Sequence, residues 1–164
     1  MEAQYIYESN GLTLLEARVL FRLASRRLLD VNNWHKVYGE PSTRFSLLTK
    51  DGDPVEGPAA SGNYFNLPVS QKGSMESNNT LYAEFESIRR SVDKLTDEES
   101  ISIKVRATPK PGNAYKLQMT PPSANFILHR KGTVISAFLV AFTDFTKMHW
   151  KNLTVGLMNH VSIS

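Results

Sequence analysis

The chain contains no cysteine, which excludes disulfides, thiolate catalysis and cysteine-ligated zinc. It has no run of about 18 apolar residues, so no membrane-spanning helix is expected. The opening Met1-Glu-Ala-Gln-Tyr5 has neither the basic nor the apolar region of a secretory signal. With the absent cysteines this predicts a cytoplasmic protein, and the sequons at Asn78 and Asn152 read as chance matches. An excess of one charge is lacking too. Nineteen Lys and Arg stand against 16 Asp and Glu, a net of +3, too small by itself to imply nucleic acid as a partner.

Catalytic signatures are equally scarce. No Gly-x-Ser-x-Gly, Walker A or Gly-x-Gly-x-x-Gly run occurs. There is no His-Glu-x-x-His and no paired-aspartate loop, so neither a metal nor a cofactor is expected. His149 and His160 share a helix face, but eleven residues separate them by about 16 Å of rise, too far to hold one ion. His35, beside Trp34 and near Glu40, is the one candidate general base, because imidazole titrates near neutrality. A surface or capping histidine is the simpler reading, since no nucleophile or orienting partner accompanies it.

The 164 residues, 41% hydrophobic and 21% charged, suit one soluble domain spanning residues 1–164. Gln4–Tyr7 is a candidate first strand. Thr13-Leu-Leu-Glu16 matches the capping box, in which Thr and Glu satisfy free amides reciprocally. The helix it opens should run to about Asp30, with Ala17, Leu20, Ala24, Leu28 and Val31 as one apolar stripe and Leu15, Val19 and Leu23 as another. A second short helix carries Trp34, Val37 and Tyr38, and Glu40-Pro41 stops it.

An antiparallel meander follows. Arg44 to Thr49, Asn63 to Val69, Leu81 to Ser91 and Ser100 to Thr108 are predicted strands. The last alternates cleanly, with Ile101, Ile103, Val105 and Ala107 on one face. Ser70 to Thr80 reads as a mobile loop, and the proline-rich stretch from Thr108 to Ser123 as a long irregular one. Two further strands flank Lys131-Gly132 between Asn125 and Phe142. The terminal helix, capped by Thr143 or Asp144, extends to about Val161, and its stripe of Trp150, Leu153, Leu157 and Val161 should lie on the sheet. Phe145, Met148 and Val155 form a second face that needs cover. Gly156 inside this helix costs about 1 kcal/mol against Ala, which points to close backbone packing there. The order strand, two helices, six strands, helix is α+β: a curved antiparallel sheet of six or seven strands with the long last helix across it.

That order resembles the helix-grip fold of the START-like superfamily. The local likeness is in Ala24-Ser-Arg-Arg-Leu-Leu-Asp-Val-Asn-Asn-Trp-His35, similar to that superfamily's first-to-second helix junction. Met148-His-Trp-Lys-Asn-Leu-Thr-Val-Gly-Leu157 is similar to its closing helix, and Asn33-Trp-His-Lys36 resembles uncharacterised bacterial members. The resemblance implies a cavity between sheet and terminal helix that in many members holds a small apolar molecule, and the expected function is binding of such a molecule or a lipid without catalysis. Trp34, Tyr38, Phe85, Phe126 and Trp150 are the expected lining; the alternative is that they simply fill the core.

Two other functions stay in view. Arg18, Arg22 and Arg26 lie at i, i+4, i+8 and would give an interaction protein a stripe for nucleic acid or a membrane surface, though no stacking motif for nucleic acid accompanies them. A cyclase-like or hydrolytic enzyme would use the same pocket with His35. The strand Phe138-Leu-Val-Ala-Phe142 is apolar on both faces, which predicts a homodimer through Phe138, Val140 or Phe142.

Overall fold

The computed structural model describes residues 3–38, 45–67, 81–108, 123–141 and 144–159. The elements run β1 (Gln4–Glu8), α1 (Leu14–Leu29), a 3-10 turn (Val31–Asn33), α2 (Trp34–Tyr38), β2 (Leu47–Leu48), β3 (Tyr64–Leu67), β4 (Leu81–Asp93), β5 (Glu98–Thr108), β6 (Ser123–Lys131), β7 (Val134–Ala141) and α3 (Asp144–Leu157). The seven strands form one antiparallel sheet in the order β1-β7-β6-β5-β4-β3-β2. Strands β2 to β7 are a simple meander. The one long-range pairing sets the first strand beside the last, with Tyr5 opposite Phe138. With α3 packed on β7 and β1, and α1 on β6 and β7, this is the helix-grip arrangement.

Local chemistry explains most boundaries. The capping box forms as the sequence predicts: Glu16 N donates to Thr13 Oγ1 at 3.1 Å and Thr13 N to Glu16 Oε1 at 2.9 Å. Helix α1 buries Ala17, Leu20, Ala24 and Leu28, the first predicted stripe, and adds Phe21, Ser25 and Leu29. Leu15 and Val19 of the second stripe face solvent instead. One face of α1 is enough to cover its part of the sheet, so the other has nothing to bury against.

The strand expected at Arg44–Thr49 shrinks to Leu47–Leu48 among the described residues. Side chains take the ladder's place here. Ser46 N donates to Asn66 Oδ1 at 2.6 Å and Leu47 N to Asn32 Oδ1 at 2.9 Å, while Thr49 Oγ1 accepts from the amides of Asp51 and Asp53. Residues 68–80 and 109–122, which take in the expected end of the Asn63–Val69 strand and nearly all of the two expected loops, lie outside the described residues. In β4 a bulge between Phe85 and Ser87 shifts the alternation by one residue. It keeps Ile88 opposite Ile103, so the apolar face of Ala83 and Phe85 continues to Ile88, beyond which the strand is exposed. Ile101, Ile103 and Val105 of β5 are buried in alternation as expected, with Ala107 half-buried, and Ile103, Phe126 and Leu139 stand side by side across β5, β6 and β7.

Terminal helix α3 ends at Leu157 rather than near Val161. Its stripe of Trp150, Leu153 and Leu157 is buried as expected, and Thr154 Oγ1 donates back to Trp150 O. Val155, on the face expected to need cover, is 60% exposed.

At the β4–β5 turn the apolar alternation of β6 gives way to Arg130, whose side chain is only 5% exposed. Its Nε donates to Glu99 at 2.6 Å and its Nη2 to Asp97 at 3.1 Å, while Nη1 donates to Gly132 O at 2.9 Å. Arg18 reaches Asp97 from α1 at 3.2 Å. Hydrogen bonds from Arg130 first, and from Arg18, hold the Asp97 carboxyl below its ordinary pKa, and Glu98 is held down chiefly by His129. A carboxylate depressed in the folded state adds stability above its unfolded pKa, about 4, and loses it as pH falls through the lower folded value. Asp97→Asn should therefore be less stable than the parent at pH 7, with the gap closing below about pH 4. Denaturant midpoints at pH 7 and pH 3 test this; an unchanged gap would mean that Asp97 titrates alike folded and unfolded.

Candidate functional site

Between the concave face of the sheet and the helices lies a connected layer of aromatic rings. Trp34, the first residue of α2, is its centre. Its Nε1 donates to Leu28 O at 3.1 Å and to Arg27 O at 3.2 Å, two carbonyls of the last turn of α1, the second of which also accepts from Asp30 N. Helix termination thus supplies the acceptor that a buried indole needs. Around Trp34, ring centroids of Phe45, Phe65 and Trp150 lie at 5.4, 5.3 and 6.4 Å, all edge-on. Trp150 stacks on Phe126 at 5.1 Å, and Phe65 meets Phe85 at 4.9 Å. The chain Phe85–Phe65–Trp34–Trp150–Phe126 therefore crosses from β4 and β3 under α2 and α3 to β6. All five rings are buried.

Four of the five expected lining residues, Trp34, Phe85, Phe126 and Trp150, belong to this one layer. Tyr38 lies on α2, but its side chain is outside the described residues. The sequence reading missed Phe45 and Phe65, which touch Trp34 directly. The apolar run Tyr64-Phe65 was a signal, but nothing local reveals which ring a distant indole meets.

Three contacts lock the helices over this layer. The backbone of α3 at Gly156 meets α2 so closely that a Cβ there would lie 2.0 Å from Val37 O. Arg27 Nη1 donates to Leu157 O at 3.1 Å and Asn159 O at 2.7 Å, satisfying carbonyls at the end of α3. Burial pulls its guanidinium below the ordinary arginine pKa. Asn32 links the α1–α2 junction to the sheet edge, donating to Val55 O at 2.8 Å as well as accepting from Leu47 N.

Two buried polar atoms have no hydrogen-bond partner among the described residues: Ser25 Oγ on α1 and His35 Nδ1 on α2. In a packed interior such atoms call for a ligand or water. His35 follows Trp34 directly, but nothing in the described structure orients its imidazole as a base. No group of three His, Asp or Glu residues placed to hold a metal ion occurs among the described residues. No helix there is long and apolar enough to cross a membrane.

The other sequence candidates lie elsewhere. Arg18, Arg22 and Arg26 are exposed on α1. Phe138 and Val140 lie half-buried on the convex face, where the Tyr5 ring covers Phe138 at 4.4 Å; Phe142 is outside the described residues. Strand β7 is internal, flanked by β1 and β6.

The fold and this layer define an α+β helix-grip domain with an aromatic interior under its terminal helix. No family model and no curated protein matches the sequence. Among solved structures the chain is similar to Ara h 8.0201, with 13% sequence identity, 96% of each chain covered and a TM-score of 0.42. At that distance no residue role is transferred.

Proposed function

We propose that the protein binds a small apolar molecule or lipid between the concave face of its sheet and α3, without transforming it. The observation that carries this reading is a pair of buried atoms without a partner among the described residues, Ser25 Oγ and His35 Nδ1, on helices that close a largely apolar, ring-lined interior. A few polar groups set in an aromatic and aliphatic surround is the make-up of ligand pockets. In this reading Trp34, Phe85, Phe126 and Trp150 supply the apolar wall, and Tyr38, four residues after Trp34 in α2, is a fifth candidate. Hydrolysis or cyclisation through His35 is less supported, because a base needs a group to hold its tautomer and a nucleophile or water in reach.

An environment-sensitive apolar dye should bind the folded protein with little dependence on salt, since the driving force is removal of apolar area from water. At a free concentration about 100 times its Kd, a ligand of the folded state raises stability by about 2.7 kcal/mol, visible as a higher denaturant midpoint. Native mass spectrometry under mild conditions should show a co-purified small molecule. A native mass equal to the polypeptide, with no dye uptake and no midpoint shift, would leave the aromatic layer as packing alone.

A further inference from the structure

The ion pair between Arg18 and Asp97 ties the first turns of α1 to the β4–β5 turn. It brings together two unusual surfaces. On α1, Leu15, Val19, Arg22 and Arg26 fall on one side at 100° per residue, all exposed, with Leu15 at 72%. In the turn, Leu95 is 99% exposed beside Lys94. Nothing among the described residues packs on these leucines.

We infer that this surface docks on an anionic lipid bilayer. Each carboxylate nearby faces another partner: Glu16 caps α1, Asp93 accepts from the amides of Leu95 and Thr96, Asp97 is shared by Arg18 and Arg130, and Glu98 meets His129. Arg22, Arg26 and Lys94 have no carboxylate partner among the described residues. Cations left free around protruding aliphatic side chains suit a surface that offers negative headgroups above hydrocarbon. The same cations would attract nucleic acid, but single-strand binding draws on stacked rings, and Leu15, Val19 and Leu95 have none to offer. The inference does not rest on the interior ligand site: docking uses only outward side chains.

Co-sedimentation with phosphatidylcholine vesicles, alone or mixed with phosphatidylserine, tests it. The protein should pellet with the mixed vesicles only, and less as salt rises. Leu95→Ser should lower the partition coefficient about tenfold, and Arg22→Gln with Arg26→Gln about 25-fold, near fivefold for each charge. Both variants change exposed side chains, so thermal melting and dye uptake should match the parent; loss of docking with dye binding intact separates this surface from the interior. Absence of pelleting with either vesicle would overturn the inference, as would equal pelleting with both. Tighter binding to a single-stranded oligonucleotide, weakened by the arginine changes and indifferent to Leu95→Ser, would reassign the face to nucleic acid.

Discussion

Replacing Trp150 with alanine is expected to destabilise the protein by about 3–5 kcal/mol, as large-to-small changes at buried aromatic positions do. The ring is 6% exposed, lies flat on Phe126 and meets the edge of Trp34. Its removal leaves a void between α3 and β6 that α2 cannot fill, because Gly156 already sets α3 on the backbone of Val37. Domains of this size have total stabilities of about 5–15 kcal/mol, so the loss takes a large share. Urea titration of parent and variant measures it directly. A loss under about 1 kcal/mol would make Trp150 peripheral and remove the main wall of the proposed binding site.

Gly156→Ala should lower stability although helix propensity alone favours alanine by about 1 kcal/mol. Gly156 lies inside α3, yet an added methyl would sit 2.0 Å from Val37 O and 2.8 Å from Val37 C, and these are backbone atoms that cannot rotate away. Relief requires α2 and α3 to separate, which strains the Arg27 bonds to Leu157 O and Asn159 O and loosens Trp34 against Trp150. Overpacking of this kind costs about 1–3 kcal/mol or more. The sign is the diagnostic. A variant with a higher denaturant midpoint than the parent would show that the two helices part readily, and the α2–α3 contact would then be a hinge instead of a lock.

The two changes probe one construction from opposite sides, one by emptying space and the other by overfilling it. If the interior holds a ligand, saturating it should restore part of the stability lost in Trp150→Ala only where the ligand also fills the new void. Gly156→Ala, whose damage lies between two helix backbones, should gain no more from ligand than the parent does.

Periodicity and capping carried the reading of the elements a long way. Thr13 and Glu16 name the start of α1 because a capping box is closed within four residues. The inward set Ile101, Ile103 and Val105 is legible because strand period and burial coincide. Gly156 announced a close approach by its cost. Helix ends and the short edge strand were less legible, because their partners are remote. The end of α3 is capped by Arg27, 130 residues away, and Leu47 bonds the side chain of Asn32 instead of continuing a ladder.

The sequence by itself determined the α+β order, the faces of α1 and β5, and the aromatic types from which an interior would be built. It did so because those properties depend on neighbours within a few residues. Only the tertiary structure decided that Phe45 and Phe65 join Trp34, that Arg27 closes α3, and that Arg18 of α1 pairs with Asp97 in the β4–β5 turn. Each depends on a pairing between segments far apart in the chain. Burial selects such pairings jointly, so no single segment's pattern encodes them.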